Sequence, residues 1–390
     1  MNMKKRLRRL ATLLLALMML APLVACGGTP APSSSAPAPS DSAPAPSGDS
    51  GGSGGSDEVY EISVNTFLPE LIAPGKATRS AIDFIEKASN GRIKIKDYWD
   101  GTYVSFAETI QAVATGTIDI GFIDPTHLSE SFNANQIISM YIEADVPSRQ
   151  LQSEALQQAV RDIPELQQEF SDIGVMWIGI VSSGSGIIHF AGDVDVRKPD
   201  DLKGMSMEAL AAGNELIKEC GAAMIGSPVT EWYTGLERNV IDALIHNWGA
   251  VDGFRFNEVT STHLYFTTEE HSDEDARGLY ISAMGWIMNK AKFESLPKDI
   301  QDLILDAFGR EYSDRFIEFE MPACLSGYNE AVSMGHKFIY LEPAEVAVWR
   351  DKVASSNKTV LDRIQANGFD SYDIYRRWNE IIQAKFDSEQ

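Results

Sequence analysis

The chain has 390 residues, 44% of them hydrophobic, and a formal charge of −23. That length gives room for two or three domains with real cores. The excess of 56 Asp and Glu over 33 Lys and Arg argues against a nucleic-acid partner and against flat adhesion to anionic lipid, while identifying no ligand.

The first 25 residues join a basic stretch to a leucine-rich apolar run and a small-residue cleavage zone, the pattern of an export signal. Pro22 interrupts the run, which is short for a membrane-spanning helix. Leu23-Val24-Ala25-Cys26 resembles a bacterial lipobox, which implies cleavage before Cys26 and lipidation of that cysteine as a membrane anchor. Cleavage removes Lys4, Lys5, Arg6, Arg8 and Arg9, five positive charges, and takes the net charge from −23 to −28. From Gly28 to Ser56 the chain is almost wholly Ala, Pro, Ser, Gly and Thr, too poor in apolar surface to fold. Residues 26–58 are therefore expected to be a tether holding the folded body off a membrane. Cys220 and Cys324 could pair in an oxidising compartment, but we read each as a small buried hydrophobe.

From Val59 strands and helices alternate. VYEISVNTF, RIKIKDYW and TIDIGFID read as strands, separated by the helices GKATRSAIDFIEKASN and SFAETIQAVATG. This βαβαβ order predicts a sheet with parallel strands. A long helix over Arg149–Ser171 and the apolar strand IGVMWIGIVSS complete a first lobe, residues 59–182. A second βαβαβ run makes another lobe, residues 183–277, with strands at Met205–Glu208, AAMIG and VIDALIHNW. The rest, 278–390, reads as a returning strand, LYISAMGWIMNK, and helices at about Lys298–Ala331, Pro343–Asn357 and Leu361–Phe386 packing on both lobes. The expected fold is α/β, a two-lobed venus-flytrap of the periplasmic-binding-protein kind with interlobe crossings and C-terminal helices. A small-molecule ligand would sit where strand ends meet in the cleft, and hinge closure would bury it.

RKPDDLKGM followed by GAAMIGSPVTEWYTGLERNVIDAL resembles the solute-binding proteins of TRAP transporters, the DctP family. Pro199, Asp201, Leu202, Lys203 and Gly204 match its P-x-DLKG turn, and Gly221, Ala222, Glu231, Tyr233, Leu236 and Asp242 match the segments that follow. NGRIKIKDYWDGT and TIQAVATGTIDIGF upstream and MNKAKFESLPKDIQDLILDA downstream look like further family motifs, so the likeness runs across most of Val59–Ala331. The resemblance implies capture of a small solute, usually an organic acid, and delivery to a sodium-coupled membrane permease, with no cofactor and no catalysis.

In that family an arginine after the turn grips the ligand carboxylate. Matched residue by residue, it falls on Glu208. A carboxylate there would repel the usual ligand and suits an amine or a hydroxyl-rich solute. The other candidates are Trp232 and Tyr233 on the following helix, His246, Asn247 and Trp248 at the next strand end, and Glu70 in the loop after the first strand. A tryptophan face over a cation contributes about 0.5–2 kcal/mol. Each has a plainer reading: Glu208 paired with Arg255, the aromatics and His246 packed in a core, Glu70 in solvent. SSGSGIIH lacks the G-x-S-x-G elbow, and neither a phosphate loop nor metal-ligand spacing occurs. An ABC-type receptor and a secreted hydrolase are the alternatives.

Overall fold

Alternation in YEISVN puts Ile62 and Val64 into a core and makes Tyr60–Asn65 the first strand, β1. The computed structural model describes residues 58–124, 128, 132–140, 147–210, 213–268 and 278–389. The expected signal peptide, Cys26 and nearly all of the tether lie outside the described residues. Helix α1, Ala73–Ala88, buries the stripe Ala77, Ala81, Ile82 and Ile85. It ends where Asn90 and Gly91 take positive φ, as the sequence predicts for this pair. Strand β2 (Ile93–Tyr98), helix α2 (Thr109–Ala114) and strand β3 (Ile120–Ile123) follow, then the short helix α3 (Asn133–Ile137).

The helix expected over Arg149–Ser171 is two: α4, Arg149–Asp162, and α5, Pro164–Ser171. Pro164 offers no amide hydrogen to α4 and pushes Ile163 into extended backbone (φ −114°, ψ 92°), so the helix restarts there. Strand β4, Val175–Ser182, ends at the first crossing. The second half supplies β5 (Ile187–Phe190), β6 (Ser206–Ala209), α6 (Gly213–Glu219), β7 (Ala223–Met224), α7 (Trp232–Glu237), β8 (Ala243–His246), α8 (Trp248–Gly253) and β9 (Thr262–Tyr265). The chain then returns as β10, Ala283–Asn289.

The first sheet has the order β2-β1-β3-β10-β4, with β1 parallel to β2 and β3 and β10 antiparallel to β3 and β4. After β10 come α9 (Lys290–Ser295), α10 (Lys298–Leu305), a π-helical turn at Asp306–Glu311 and α11 (Tyr312–Ser333). A strand that the sequence reading passed over, β11 (Lys337–Tyr340), pairs parallel with β9. It completes the second sheet, β11-β9-β5-β8-β6-β7. Four residues between two long amphipathic helices carry too little periodicity to announce a strand. Helix α12, Pro343–Ala366, runs through the break expected near Asn357, and the real break is at Gly368 (φ 95°), before α13, Ser371–Glu389.

Two helices tie the lobes. On α11, Tyr312 and Phe316 belong to a core on the first sheet, whereas Cys324 and Ala331 belong to one on the second. On α12, Trp349 and Val353 serve the second lobe, and Val360, Leu361 and Ile364 serve the first. Cys220 and Cys324 are both buried and do not pair with each other.

The π-helical turn packs directly on β4. A Cβ on Gly179 would stand 1.8 Å from the carbonyl oxygen of Phe308. Gly179→Ala must push the turn off the sheet, and urea unfolding should register a loss of about 1–3 kcal/mol.

Candidate functional site

The ends of strands from both sheets surround a half-open cleft with about 590 Å³ of empty space, open solvent included. Phe67, Leu68 and Ile72 after β1 and Phe122 and Asp124 at the end of β3 form one wall. Leu210 after β6, Val229, and His246, Asn247, Ala250 and Phe254 at the end of β8 and along α8 form the other. Ser183, Ser282, Met284, Phe316 and Glu320 close the junction between them. The walls are mainly apolar and aromatic, with a few polar groups converging at the junction, the usual make-up of a small-molecule site.

Beneath the junction lies a buried ion pair. Arg149, at the start of α4 and 1% exposed, places Nη1 3.3 Å from Oε1 of Glu320 on α11, and its Nη2 donates to the Sγ of Cys324 at 3.3 Å. Two glycines make room. A Cβ on Gly184, which sits at φ 94°, would come within 2.4 Å of the guanidinium, and one on Gly249 within 2.1 Å of Glu320 Oε1.

His246 and Asn247 are the two sequence candidates that line the cavity. The His246 Nδ1 accepts the amide hydrogen of Asn247 at 2.9 Å. Burial pushes the imidazole down to about 4, against the pull of Asp124 and Asn247 and helped by Arg149, so it is neutral at pH 7. Its one hydrogen therefore sits on Nε2, as a donor. The Asn247 side chain caps α8 by accepting from the Ala250 amide at 2.7 Å, and its Nδ2 donates to the carbonyl oxygen of Ser183. One residue thus joins the cleft helix to the crossing that follows β4. The Ser282 hydroxyl, also at the cavity, is buried with no hydrogen-bond partner among the described residues.

The remaining candidates do not line it. Glu208 is 0% exposed, and its carboxylate accepts from the Gly226 amide (3.1 Å), the Ser227 amide (2.8 Å) and the Ser227 hydroxyl (2.5 Å). Burial raises its pKa above the usual carboxylate range, and those donors pull the other way. Arg255, considered as its partner, pairs with Glu258 instead. Trp232 is buried behind the cleft, its Nε1 donating to the Ser227 carbonyl at 2.9 Å, so Glu208 and Trp232 latch the same loop. Tyr233 donates its hydroxyl to Glu258, and Trp248 donates to the Tyr265 hydroxyl deep in the second lobe. Glu70, with a side chain 45% exposed, pairs with Arg79 at 2.7 Å. Asp124, Arg149, Ser183, Ser282 and Glu320 were not singled out in the sequence. Asp124 ends the strand TIDIGFID and could have been read as a cleft residue, whereas nothing local distinguishes Arg149 or Glu320 from other helical charges.

A cleft between two α/β lobes linked by several crossings has the architecture of a solute receptor. The DctP family, bacterial extracellular solute-binding protein family 7, matches residues 65–363, and the chain belongs to it; these are the solute-binding proteins of TRAP transporters. A solute-binding protein of Verminephrobacter eiseniae is 24% identical over 229 residues, 57% of this chain and 62% of that protein. Among solved structures, a marine-metagenome TRAP solute-binding protein specific for aromatic acids, in complex with 3-hydroxybenzoate, superposes with a TM-score of 0.73 at 20% identity, covering 85% of this chain and 100% of the other. A TRAP solute-binding protein of Rhodoferax ferrireducens T118 with copurified benzoate gives 0.72 at 19% identity, again covering 85% and 100%.

The state of His246 sets a pH dependence. Its folded pKa lies below the unfolded value of about 6.5, so its contribution to stability is complete above that pH and is lost as pH falls toward 4. Across that window the unfolding free energy of the wild type should fall by about 3 kcal/mol more than that of His246→Gln, measured by urea titration at successive pH values.

Proposed function

We propose that the chain is exported, lipidated on Cys26, and held on its tether at the outer face of the cell membrane. There it captures a solute by lobe closure and passes it to a sodium-coupled TRAP permease. Family membership, the signal-like N-terminus and the lipobox support this reading.

The ligand class follows from the charges at the cleft. Asp124 and Glu320 line it, and the buried guanidinium nearby, Arg149, is bound to Glu320. At the position of the family's arginine stands Glu208, its carboxylate closed on Gly226 and Ser227. An anion would enter facing two carboxylates, which favours an uncharged or cationic solute. Phe67, Phe122, Phe254 and Phe316 form much of the wall, and a polyol's hydroxyls would lose water there without finding partners. An amine or alcohol with an apolar, ring-sized body fits best, with its polar end toward Ser282 and the His246 Nε2 hydrogen. The observation that carries this is the pairing of Arg149 with a cavity-lining carboxylate.

An aromatic acid is the second reading. Helix α1 opens on the cleft at Ile72–Pro74 with no capping side chain, and a helix N-terminus favours negative charge. The bound benzoate and 3-hydroxybenzoate of the structural neighbours point the same way.

Thermal unfolding of a soluble form beginning after Cys26 separates the two. Benzylamine, phenylethanolamine and benzyl alcohol are to be compared with benzoate, mandelate and 3-hydroxybenzoate. A true ligand at 100-fold its dissociation constant adds about 2.7 kcal/mol. The expected result is stabilisation within the amine and alcohol set alone. Stabilisation by the acids and by nothing in the first set makes the second reading correct.

A further inference from the structure

Three histidines that the cleft does not use stand in line through the second sheet. His189 lies on β5, His263 opposite it on β9, and His336 immediately before β11. The Nδ1 atoms of His189 and His263 are 2.8 Å apart, and His263 Nε2 is 2.9 Å from His336 Nδ1. At the inner end, His189 Nε2 is 3.1 Å from the carbonyl oxygen of His246, the last residue of the cleft strand β8. His189 and His263 are fully buried and His336 is half-buried.

The direction of every bond in this line can be deduced. A carbonyl oxygen only accepts, so His189 carries its hydrogen on Nε2. A neutral imidazole has a single N–H, so His189 Nδ1 is bare and accepts from Nδ1–H of His263. The Nε2 of His263 is then bare and accepts from Nδ1–H of His336. All three donors point inward, toward the cleft strand. The rings are neutral because burial disfavours the cation, His189 being pushed down to about 3 and His263 well below its ordinary value. The titratable groups acting on His189 and His263 are other histidines; the remaining rings against them, Trp248 from α8 and Phe338 from β11, carry no charge. Glu330 on α11 acts on His336, at the outer end. One extra proton is accommodated on His336 Nε2 without reversing any bond.

We propose that His336, His263 and His189 are positioning residues, a tautomer-locked strut that fixes the carbonyl of His246 and so aims its ring, with the hydrogen on Nε2, into the cleft. The functional meaning of the strut rests on reading the cleft as the solute site. Its test needs no solute, so the two stand or fall separately.

The experiment is long-range proton–nitrogen NMR of the histidine rings in ligand-free protein at pH 7, with amide exchange at Asn247, whose N–H bonds to the His246 ring. The expected pattern is hydrogen on Nε2 of His189 and His246 and on Nδ1 of His263 and His336. His336→Asn, whose amide can donate from the Nδ1 position, should preserve it. His336→Leu removes the outer donor and leaves the bare Nε2 of His263 without a partner; the inner bonds still hold the His263 hydrogen on Nδ1, so the tautomers should stay while Asn247 exchanges roughly tenfold faster, the scale of one lost hydrogen bond. Hydrogen on Nε2 of His263 in the wild type overturns the proposal, as does a His336→Leu protein in which Asn247 exchanges at the wild-type rate. If the Leu variant does not fold, the wild-type pattern and the Asn variant decide.

Discussion

A guanidinium without water governs the junction of this molecule. Arg149 belongs to the first lobe, Glu320 to the helix that passes between lobes, and Gly184 to the strand crossing between them. An ion taken out of water costs several kcal/mol unless it is closely paired, and removing one partner of such a pair costs about 3–5 kcal/mol. Three segments distant in sequence are therefore held to one geometry. The two glycines follow from the same constraint, since any side chain at Gly184 or Gly249 would occupy the space of the pair. Glu320 stands on α11 between Phe316, in a first-lobe core, and Cys324, in a second-lobe core.

In the function proposed, the same pair shapes recognition. A receptor that grips carboxylates needs a cation offered to the cleft, and here the buried cation is tied to a carboxylate of the cavity wall. Glu208 contributes differently. Its carboxylate collects two amides and a hydroxyl from Gly226 and Ser227, and Trp232 holds the same loop by the Ser227 carbonyl. The loop so anchored presents Val229 to the cavity. The carboxylate at that strand position thus serves as a loop anchor, and the cleft keeps apolar walls with neutral donors at His246 and Ser282.

Much of the architecture was legible in the sequence because periodicity reports local burial. Alternation gave β1 and β2, the apolar stripe gave α1, and Asn90-Gly91 marked its end. The break at Pro164 and the strand β11 were not legible, the first because apolar residues continue on both sides of the proline, the second because four residues carry little pattern. The site was only half legible. His246 and Asn247 follow from their place at a strand end, but Arg149 and Glu320 meet across 171 positions, counted from their residue numbers, and nothing in either helix announces the meeting. Glu208 shows the limit of matching by position: the motif locates the strand, while the direction of a side chain depends on which donors lie nearby, here Gly226 and Ser227.

The most direct measurement is identification of the small molecule released when the protein, purified from its own cells without added solute, is denatured and the filtrate is analysed by mass spectrometry, followed by a crystal structure of the complex. The expected result is an uncharged or cationic molecule with an apolar body among Phe67, Phe122, Phe254 and Phe316, with Arg149 still on Glu320. A carboxylic acid bound to Arg149, with Glu320 displaced, would contradict it.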